Sequence, residues 1–209
     1  MMNQNTSTRG KFITFEGIDG AGKSSQIDAV QAYLCGQGVE VVRTREPGGT
    51  PLAEKIRGLI LSEAMGTDCE TLLLFAARAE HVEKVIRPAL LRGAWVLSDR
   101  FTDATYAYQV GGKGCSAEAV RWLEEWVQQG LTPDKTVLFD IDPAIAAARL
   151  AKARAADRFE AESVTFFTGV RQAYLERARN HPDRFVIVDS SQPLEAVRGR
   201  ILAEAATWR

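Results

Sequence analysis

Residues 17–24 constrain the possible folds of this chain more than any other segment. They read Gly-Ile-Asp-Gly-Ala-Gly-Lys-Ser and follow the apolar run 12–15, with Glu16 between the two. This is the pattern G-x-x-x-x-G-K-[ST], in which the glycines allow a turn whose backbone N–H groups point at an anion. A helix after such a turn adds the positive end of its dipole. The order strand, motif, helix favours a nucleotide-binding P-loop over a glycine-rich turn that binds nothing.

Two side chains of this P-loop carry the chemistry of phosphate binding. Lys23 can reach the β- and γ-phosphates of a nucleotide, and the Ser24 hydroxyl can coordinate Mg²⁺. The predicted nucleotide-binding residues are Gly17, Ile18, Asp19, Gly20, Ala21, Gly22, Lys23 and Ser24.

Apolar, β-branched segments alternate along the chain with segments of helical period. The predicted strands are residues 11–16, 39–44, 94–98, 135–141 and 184–189. The predicted helices are residues 22–36, 68–92, 116–129, 143–155, 160–180 and 193–207. This alternation predicts an α/β protein, with a mostly parallel five-stranded sheet in a three-layer α/β/α arrangement of the P-loop NTPase type.

The domain prediction is a flexible tail at residues 1–10, one domain at 11–209 and a small basic lid at about 149–162. A loop is predicted at Gly111–Gly114. The chain carries 26 basic and 27 acidic residues, and this balance argues against a general nucleic-acid or membrane-surface binder. Its three cysteines form no metal or disulfide pattern, as is typical of a cytoplasmic protein.

Polar residues follow two of the predicted strands at their carboxyl ends, where ligands bind in such sheets. Asp99 can hold a water on Mg²⁺, and Arg100 can clamp a second phosphate. A buried Asp–Arg pair that closes the strand is the alternative interpretation. Arg45 and Glu46 end the second strand before a Pro-Gly-Gly corner, and a surface salt bridge is the alternative for Arg45.

The helix 68–92 places Phe75 and Arg78 three residues apart, on one face. An aromatic ring beside a guanidinium suits a planar base, although a phenylalanine at helical spacing is usually a core residue. His81, in the same helix, is predicted to be structural. The basic run around residue 154 is either a solvated helix face or a mobile cation for phosphoryl transfer.

The chain resembles bacterial thymidylate kinase over residues 11 to about 207. The matching segments are Phe-Glu-Gly-Ile-Asp-Gly-Ala-Gly-Lys-Ser at 15–24, Thr-Arg-Glu-Pro-Gly-Gly-Thr at 44–50, Ser-Asp-Arg-Phe at 98–101, Ala-Tyr-Gln at 107–109, Asp-Arg-Phe-Glu at 157–160 and Asp-Ser-Ser-Gln-Pro at 189–193. The resemblance implies that ATP phosphorylates dTMP to dTDP with Mg²⁺, in a cytoplasmic homodimer that binds neither nucleic acid nor membrane.

The resemblance also implies roles for individual residues. The residues implied to bind dTMP are Asp19, Glu46, Pro47, Arg57, Phe75, Arg78, Arg100, Thr105, Tyr108 and Gln109. Those implied to act in catalysis are Lys23, Asp99, Arg149, Arg154 and Arg158, and those implied to hold the metal are Ser24 and Asp99.

Two departures from the family pattern leave residue roles open. The aromatic that stacks on thymine often lies four residues before the pocket arginine, where this chain has Leu74 rather than Phe75. The lid is about one residue short, which leaves Arg154, Arg149 and Arg158 as candidates for the catalytic arginine. Gly20 replaces an arginine of the eukaryotic-type enzymes, so the lid is expected to supply that charge. The alternatives to dTMP phosphorylation are another P-loop nucleoside monophosphate kinase and an ATP-hydrolysing switch module.

Overall fold

A computed structural model describes residues 9–151 and 163–208 of the chain. The strands are β1 Phe12–Glu16, β2 Val41–Arg45, β3 Trp95–Asp99, β4 Lys135–Asp140 and β5 Phe185–Asp189. They pair in parallel in the order β2-β3-β1-β4-β5. The predicted α/β fold with a five-stranded sheet flanked by helices is confirmed, and every strand pair is parallel.

The central strand, β1, is buried along its whole length, which explains why it reads as a continuous apolar run. Its partners are β3 on one side, with Phe15 opposite Asp99, and β4 on the other. Since β2 pairs with β3 and sets Arg45 opposite Asp99, the carboxyl ends of β1, β2 and β3 lie together. The P-loop, the Arg45-Glu46-Pro47 segment and the Asp99-Arg100 pair therefore meet at one edge of the sheet.

The helices connect these strands. Their bounds are α1 Lys23–Gly36, α2 Pro51–Ser62, α3 Thr67–His81, α4 Arg87–Leu91, α5 Thr102–Thr105, α6 Ala117–Gln128, α7 Pro143–Leu150, α8 Val164–Asn180 and α9 Leu194–Ala205. The π-helical segments are Val82–Ile86, between α3 and α4, and Tyr106–Gly112, after α5.

Two helical segments were predicted without bounds or not at all, and both line the site described below. Helix α2 begins after Thr50, whose hydroxyl accepts a hydrogen bond from the Ala53 N–H at 3.1 Å, and Pro51 occupies its first position. A capping threonine followed by proline is a typical helix start, so a local signal was present. The segment α5 with Tyr106–Gly112 carries no such signal, because Phe101, before it, offers no side-chain cap.

The predicted loop at Gly111–Gly114 is wrong at its first two residues, which belong to the π-helical segment. The reason is close packing against α8. A Cβ on Gly111 would lie 2.4 Å from the Ala173 Cβ, and one on Gly112 would lie 2.4 Å from the Phe166 ring. Glycine in these places serves helix contact rather than chain reversal.

The predicted tail, residues 1–10, and the predicted lid, residues 149–162, lie only partly within the described residues. Residues 1–8 and most of the lid lie outside the described residues. Arg9 donates to the Asp134 carboxylate at 2.7 Å, and the buried Gly10 donates its N–H to the Leu90 carbonyl at 2.9 Å. Within residues 9–151 and 163–208, no helix is both long and apolar enough to cross a bilayer.

Candidate active site

The P-loop connects β1 to α1 through glycines that no other residue replaces without strain. Gly17 has φ 135° and Gly20 has φ 81°, in the region that favours glycine. A Cβ on Gly17 would lie 2.6 Å from the Phe139 carbonyl oxygen, and one on Gly20 would lie 2.5 Å from that of Ala146. An arginine at position 20 would therefore meet backbone, so the catalytic charge cannot come from this position without a rearrangement of the loop.

Lys23, at the start of α1, lies folded back over the loop. Its Nζ donates to the carbonyl oxygens of Gly17 at 3.0 Å and Ile18 at 3.2 Å. Burial, assisted by the positive charge of Arg100, lowers the pKa of Lys23. The ammonium is thus held beside the loop whose N–H groups face an anion, where a phosphate can compete for it.

Asp99 ends β3 and lines the same cleft as Lys23 and Ser24. Its Oδ1 is buried and has no hydrogen-bond partner among the described residues. Mg²⁺ is bound in proteins by one or two oxygen ligands together with waters and phosphates, so the Ser24 hydroxyl and this carboxylate fit it. Among the described residues, no cluster of three or more His, Cys, Asp or Glu forms a complete metal cage.

Arg100 lies between this cleft and a second cavity. Its backbone has φ 71°, an uncommon conformation for a residue other than glycine. Its Nη2 donates to Asp19 Oδ1 at 2.9 Å and Tyr108 Oη at 3.0 Å, while Nη1 donates to Tyr174 Oη at 3.1 Å. Although burial opposes ionisation, Arg100 and Lys23 lower the pKa of Asp19 below its usual range. The guanidinium is therefore both charged and fixed.

Glu16 supports Arg100 from beneath. Tyr174 donates to Glu16 Oε2 at 2.8 Å, and the backbone N–H of Phe101 donates to Oε1 at 2.7 Å. Burial, reinforced by the negative charge of Asp103, raises the pKa of Glu16 to about 8. The carboxyl group thus joins the end of β1 to α8 and to the segment that follows β3.

The second cavity has a volume of about 130 Å³ and is lined by both apolar and polar groups. Asp19, Glu46, Arg57 and Arg100 line this cavity and also the P-loop cleft. The two spaces therefore share a wall. The other lining residues are Pro47, Ile60, Leu61, Leu74, Arg78, Phe101, Ala104, Thr105, Tyr108 and Gln109.

Arg78 lines this cavity with an exposed fraction of only 2 %. Its Nε donates to Glu46 Oε2 at 2.7 Å, and its Nη2 donates to Thr105 Oγ1 at 3.0 Å. Its Nη1 is buried without a hydrogen-bond partner among the described residues. Because an unpaired buried donor is costly, this N–H is suited to the oxygen of a ligand.

The cavity wall brings Leu74 and Phe101, rather than Phe75, to the ligand space. Phe75 is buried on the other side, against Val120 and Leu123. The Arg78 guanidinium carbon lies 4.6 Å from the Phe75 ring centroid, so the ring supports the arginine from behind. Phe75 is thus not among the residues that line the cavity, and its ring packs in a core cluster instead.

The remaining predicted cavity residues are held by further contacts. Gln109 Nε2 donates to Glu70 Oε1 at 2.9 Å, and Arg57 Nη1 donates to the Pro47 carbonyl at 3.1 Å. The Glu46–Pro47 peptide bond is cis. Phe101 was missed as a lining residue, although its place directly after the Asp99-Arg100 pair was a usable signal.

Arg149, at the end of α7, lines the P-loop cleft. It donates to the carbonyl oxygens of Ser190 at 2.9 Å and Ser191 at 3.4 Å. The other predicted lid arginines, Arg154 and Arg158, lie outside the described residues.

Comparisons with known proteins agree with this geometry. Residues 15–201 match the family model described as thymidylate kinase. A thymidylate kinase of Methylobacillus flagellatus is 57 % identical over 93 % of this chain and 96 % of its own length. One of Thiobacillus denitrificans is 55 % identical over 93 % and 96 %. The crystal structure of a thymidylate kinase from Ehrlichia chaffeensis has a TM-score of 0.77 and 31 % identity, covering 95 % of this chain and 99 % of that one. The chain belongs to the thymidylate kinase family.

Proposed function

We propose that this protein transfers the γ-phosphoryl group of ATP to the 5′-phosphate of dTMP, which yields dTDP and ADP. The observation that carries the proposal is the common wall of the P-loop cleft and the second cavity, where Arg100 and Asp19 lie. A nucleotide triphosphate in the cleft and a monophosphate in the cavity would bring their phosphates together at Arg100. Family membership supports the same pair of substrates.

The cleft binds ATP through the backbone N–H groups of residues 17–24 and the ammonium of Lys23. Ser24 and Asp99 would hold Mg²⁺, which when bound supplies positive charge to the phosphate oxygens. The unpaired Asp99 Oδ1 supports this assignment. The loop 189–193 lies beside the cleft and would face adenine. The cleft is lined there by Ser190, Gln192 and Leu194.

The cavity binds dTMP with its base towards α3 and its phosphate towards Arg100. The free Nη1 of Arg78 would donate to a thymine carbonyl oxygen, with Thr105 and Gln109 beside it. Tyr108 and Asp19, already hydrogen-bonded to Arg100, would contact the sugar, with Tyr108 against C2′ to disfavour ribose. Glu46, Pro47 and Arg57 complete the wall.

The acceptor is an ionised phosphate oxygen, so the reaction needs no strong general base. Catalysis then rests on position and on neutralisation of the charge that spreads over the transferring group. Arg100, Lys23 and the lid arginines Arg149, Arg154 and Arg158 supply that charge. We expect Arg154→Ala to lower kcat by about 1000-fold and the affinity for dTMP by far less, as measured by single-turnover kinetics and calorimetry. An unchanged kcat would move this role to another lid arginine.

We also propose that the protein acts in the cytoplasm as a homodimer that binds neither nucleic acid nor membrane. Trp122 and Trp126 on α6 are 59 % and 64 % exposed, and Leu72 on the neighbouring α3 is 57 % exposed. Exposed apolar groups on two packed helices favour contact with a second copy. Analytical ultracentrifugation tests this, with a dimer expected for the wild type and a monomer for Trp122→Lys with Trp126→Lys. A monomeric wild type would contradict it.

Steady-state kinetics with purified protein, MgATP and a panel of monophosphates test the main proposal. We expect dTMP to be phosphorylated with a far higher kcat/KM than dUMP, UMP, CMP or GMP. Another preferred acceptor would identify a different monophosphate kinase. ATP hydrolysis without consumption of any monophosphate would identify a switch module instead.

A further inference from the structure

His81, the last residue of α3, is fully buried and touches two residues at the end of β2. Its Nδ1 lies 2.9 Å from Glu46 Oε1, and its Nε2 lies 2.6 Å from Thr44 Oγ1. His81 does not line the dTMP cavity, whereas Glu46 does. The histidine therefore contacts the binding site only through the carboxylate of Glu46.

The chemistry of Glu46 determines which way this contact runs. Burial would keep the carboxyl group neutral, but Arg78 and His81 outweigh it and lower the pKa of Glu46. An ionised carboxylate only accepts hydrogen bonds, so Nδ1 of His81 must carry the proton that Glu46 receives. The other ring nitrogen, Nε2, pairs with the Thr44 hydroxyl, which can either donate or accept.

This arrangement fixes both oxygens of Glu46. Oε1 accepts from His81 and Oε2 accepts from Arg78 Nε at 2.7 Å. With Nη2 of Arg78 donating to Thr105, the planar guanidinium has one orientation, and Nη1 is the group left unpaired. A Glu46 carboxylate free to rotate would offer its second oxygen to Nη2, which shares an edge of the guanidinium with Nε. It would then compete with Thr105 and change the direction in which the unpaired Nη1 points.

The backbone leaves room for this ring. Gly49 has φ 84°, and a Cβ on it would lie 2.6 Å from Nε2 and Cδ2 of His81. Gly49, two residues after Pro47 of the cis peptide, thus lets the chain pass close to the His81 ring. His81 in α3 and Gly49 after β2 therefore both shape the contact between these two segments.

We propose that His81 is a positioning residue for base recognition: by donating to Glu46 it fixes the Arg78 guanidinium in the orientation that presents Nη1 to the carbonyl oxygen of the base. The inference rests on the proposed binding of dTMP in this cavity. It assigns a specific function to a histidine whose sequence context indicates only a structural residue.

Two substitutions of His81 separate positioning from simple core filling. An asparagine amide nitrogen occupies about the place of the histidine Nδ1, and a glutamine amide nitrogen occupies about that of Nε2. His81→Asn thus keeps the donor to Glu46, and His81→Gln removes it while keeping a polar side chain. His181, the other histidine of the chain, is exposed and outside the site, so His181→Gln is the matched control.

The test measures KM and kcat for dTMP, KM for ATP, the ratio of kcat/KM for dTMP to that for 5-methyl-dCMP, and thermal stability. 5-Methyl-dCMP keeps the shape of dTMP but replaces the O4 carbonyl with an amino group. For His81→Gln we expect KM for dTMP to rise about tenfold, the loss of one hydrogen bond to a charged group, and the discrimination ratio to fall. KM for ATP should stay within about twofold.

His81→Asn and His181→Gln should keep KM and the discrimination ratio near the wild-type values. Equal effects of the asparagine and glutamine variants, or an unchanged ratio in His81→Gln with only lower thermal stability, would overturn the inference. If the wild type does not phosphorylate dTMP at all, the proposed function fails instead, and the two failures are therefore distinguishable.

Discussion

The P-loop cleft and the dTMP cavity are each proposed to bind a nucleotide, but they are built from different parts of the chain. The cleft is centred on one continuous segment, residues 19–26, to which distant parts of the chain add side chains such as Asp99 and Arg149. The cavity is built from the end of β2 together with α2, α3 and the segment after β3. The phosphate-binding turn of the cleft is therefore specified locally, whereas the cavity exists only when distant parts of the chain are packed together.

The difference predicts how each region responds to substitution. In the cleft, function rests on the charge of Lys23 and on the glycines, so a change there should impair chemistry and leave the base site intact. In the cavity, Arg78 is held by the buried Glu46 carboxylate, which in turn contacts His81. Breaking a buried charge pair is costly. A substitution in the cavity should therefore also disturb the residues that contact the substituted side chain.

The largest effect should come from Lys23→Ala. Loss of the ammonium over the γ-phosphate should lower kcat by at least about 1000-fold. Calorimetry should show dTMP affinity within about threefold of wild type, because Lys23 does not line the cavity. Retained ATP-dependent transfer would contradict the P-loop assignment, and lost dTMP binding would contradict the separation of the two regions.

Arg78→Lys should give the reverse pattern with a smaller magnitude. Lysine keeps a positive charge near Glu46, but a single ammonium cannot serve Glu46, Thr105 and the base together. We expect kcat/KM for dTMP to fall about 100-fold, with KM for ATP unchanged. An equal loss of ATP affinity would show that the two regions are not independent.

Glu16→Gln should change how stability depends on pH, because this residue lies beneath both regions. In the wild type the pKa rises from 4.5 to about 8 on folding, so between these values the folded state binds more protons than the unfolded state. The wild type should then lose stability as pH rises through this window, by an amount on the order of 5 kcal/mol at about 1.4 kcal/mol for each pKa unit. Glutamine does not titrate and should lack this loss.

Urea unfolding of wild type and Glu16→Gln from pH 5 to pH 9 measures the difference. Parallel stability curves for the two proteins would show that Glu16 does not carry the raised pKa. Asp19 has the opposite sign, since its lowered pKa contributes stability above its unfolded value that is lost only as pH falls through the acid range.

The smallest effect should come from an ion pair outside both regions. Arg92 Nε lies 2.9 Å from Glu40 Oε1, and the side chains are 48 % and 61 % exposed. Arg92→Gln should change the unfolding free energy by less than about 1 kcal/mol and leave kcat/KM unchanged, because solvent screens such pairs. A larger loss would mean that burial does not explain the sensitivity of the Arg78–Glu46 pair.

The same contrast explains what the sequence alone could predict. The P-loop and the strand-end residues Asp99 and Arg100 were located from local pattern, because parallel strands place their carboxyl ends together. The wall of the cavity proposed to bind the base was harder to predict. Phe75 and Leu74 are neighbours in the helix, and they differ only in whether the side chain faces the cavity or the core. Only tertiary packing with Val120 and Leu123 decides between them.

The contacts of His81 were invisible for a similar reason. Its partners, Thr44 and Glu46, belong to a strand end more than 30 residues away and no local pattern reports that they meet. Helix α2, by contrast, was missed although Thr50 and Pro51 mark its start. That error came from an unused local signal rather than from a missing one.

The cleft and the cavity adjoin at Arg100 and Asp19, so together they form one continuous site. The most direct test is inhibition by a compound that links the 5′ positions of adenosine and thymidine through a chain of phosphates. It should compete with both ATP and dTMP and bind at least about 100-fold more tightly than either alone, because linkage makes the second contact intramolecular. Competition with only one substrate would show that the cleft and the cavity do not form one continuous site.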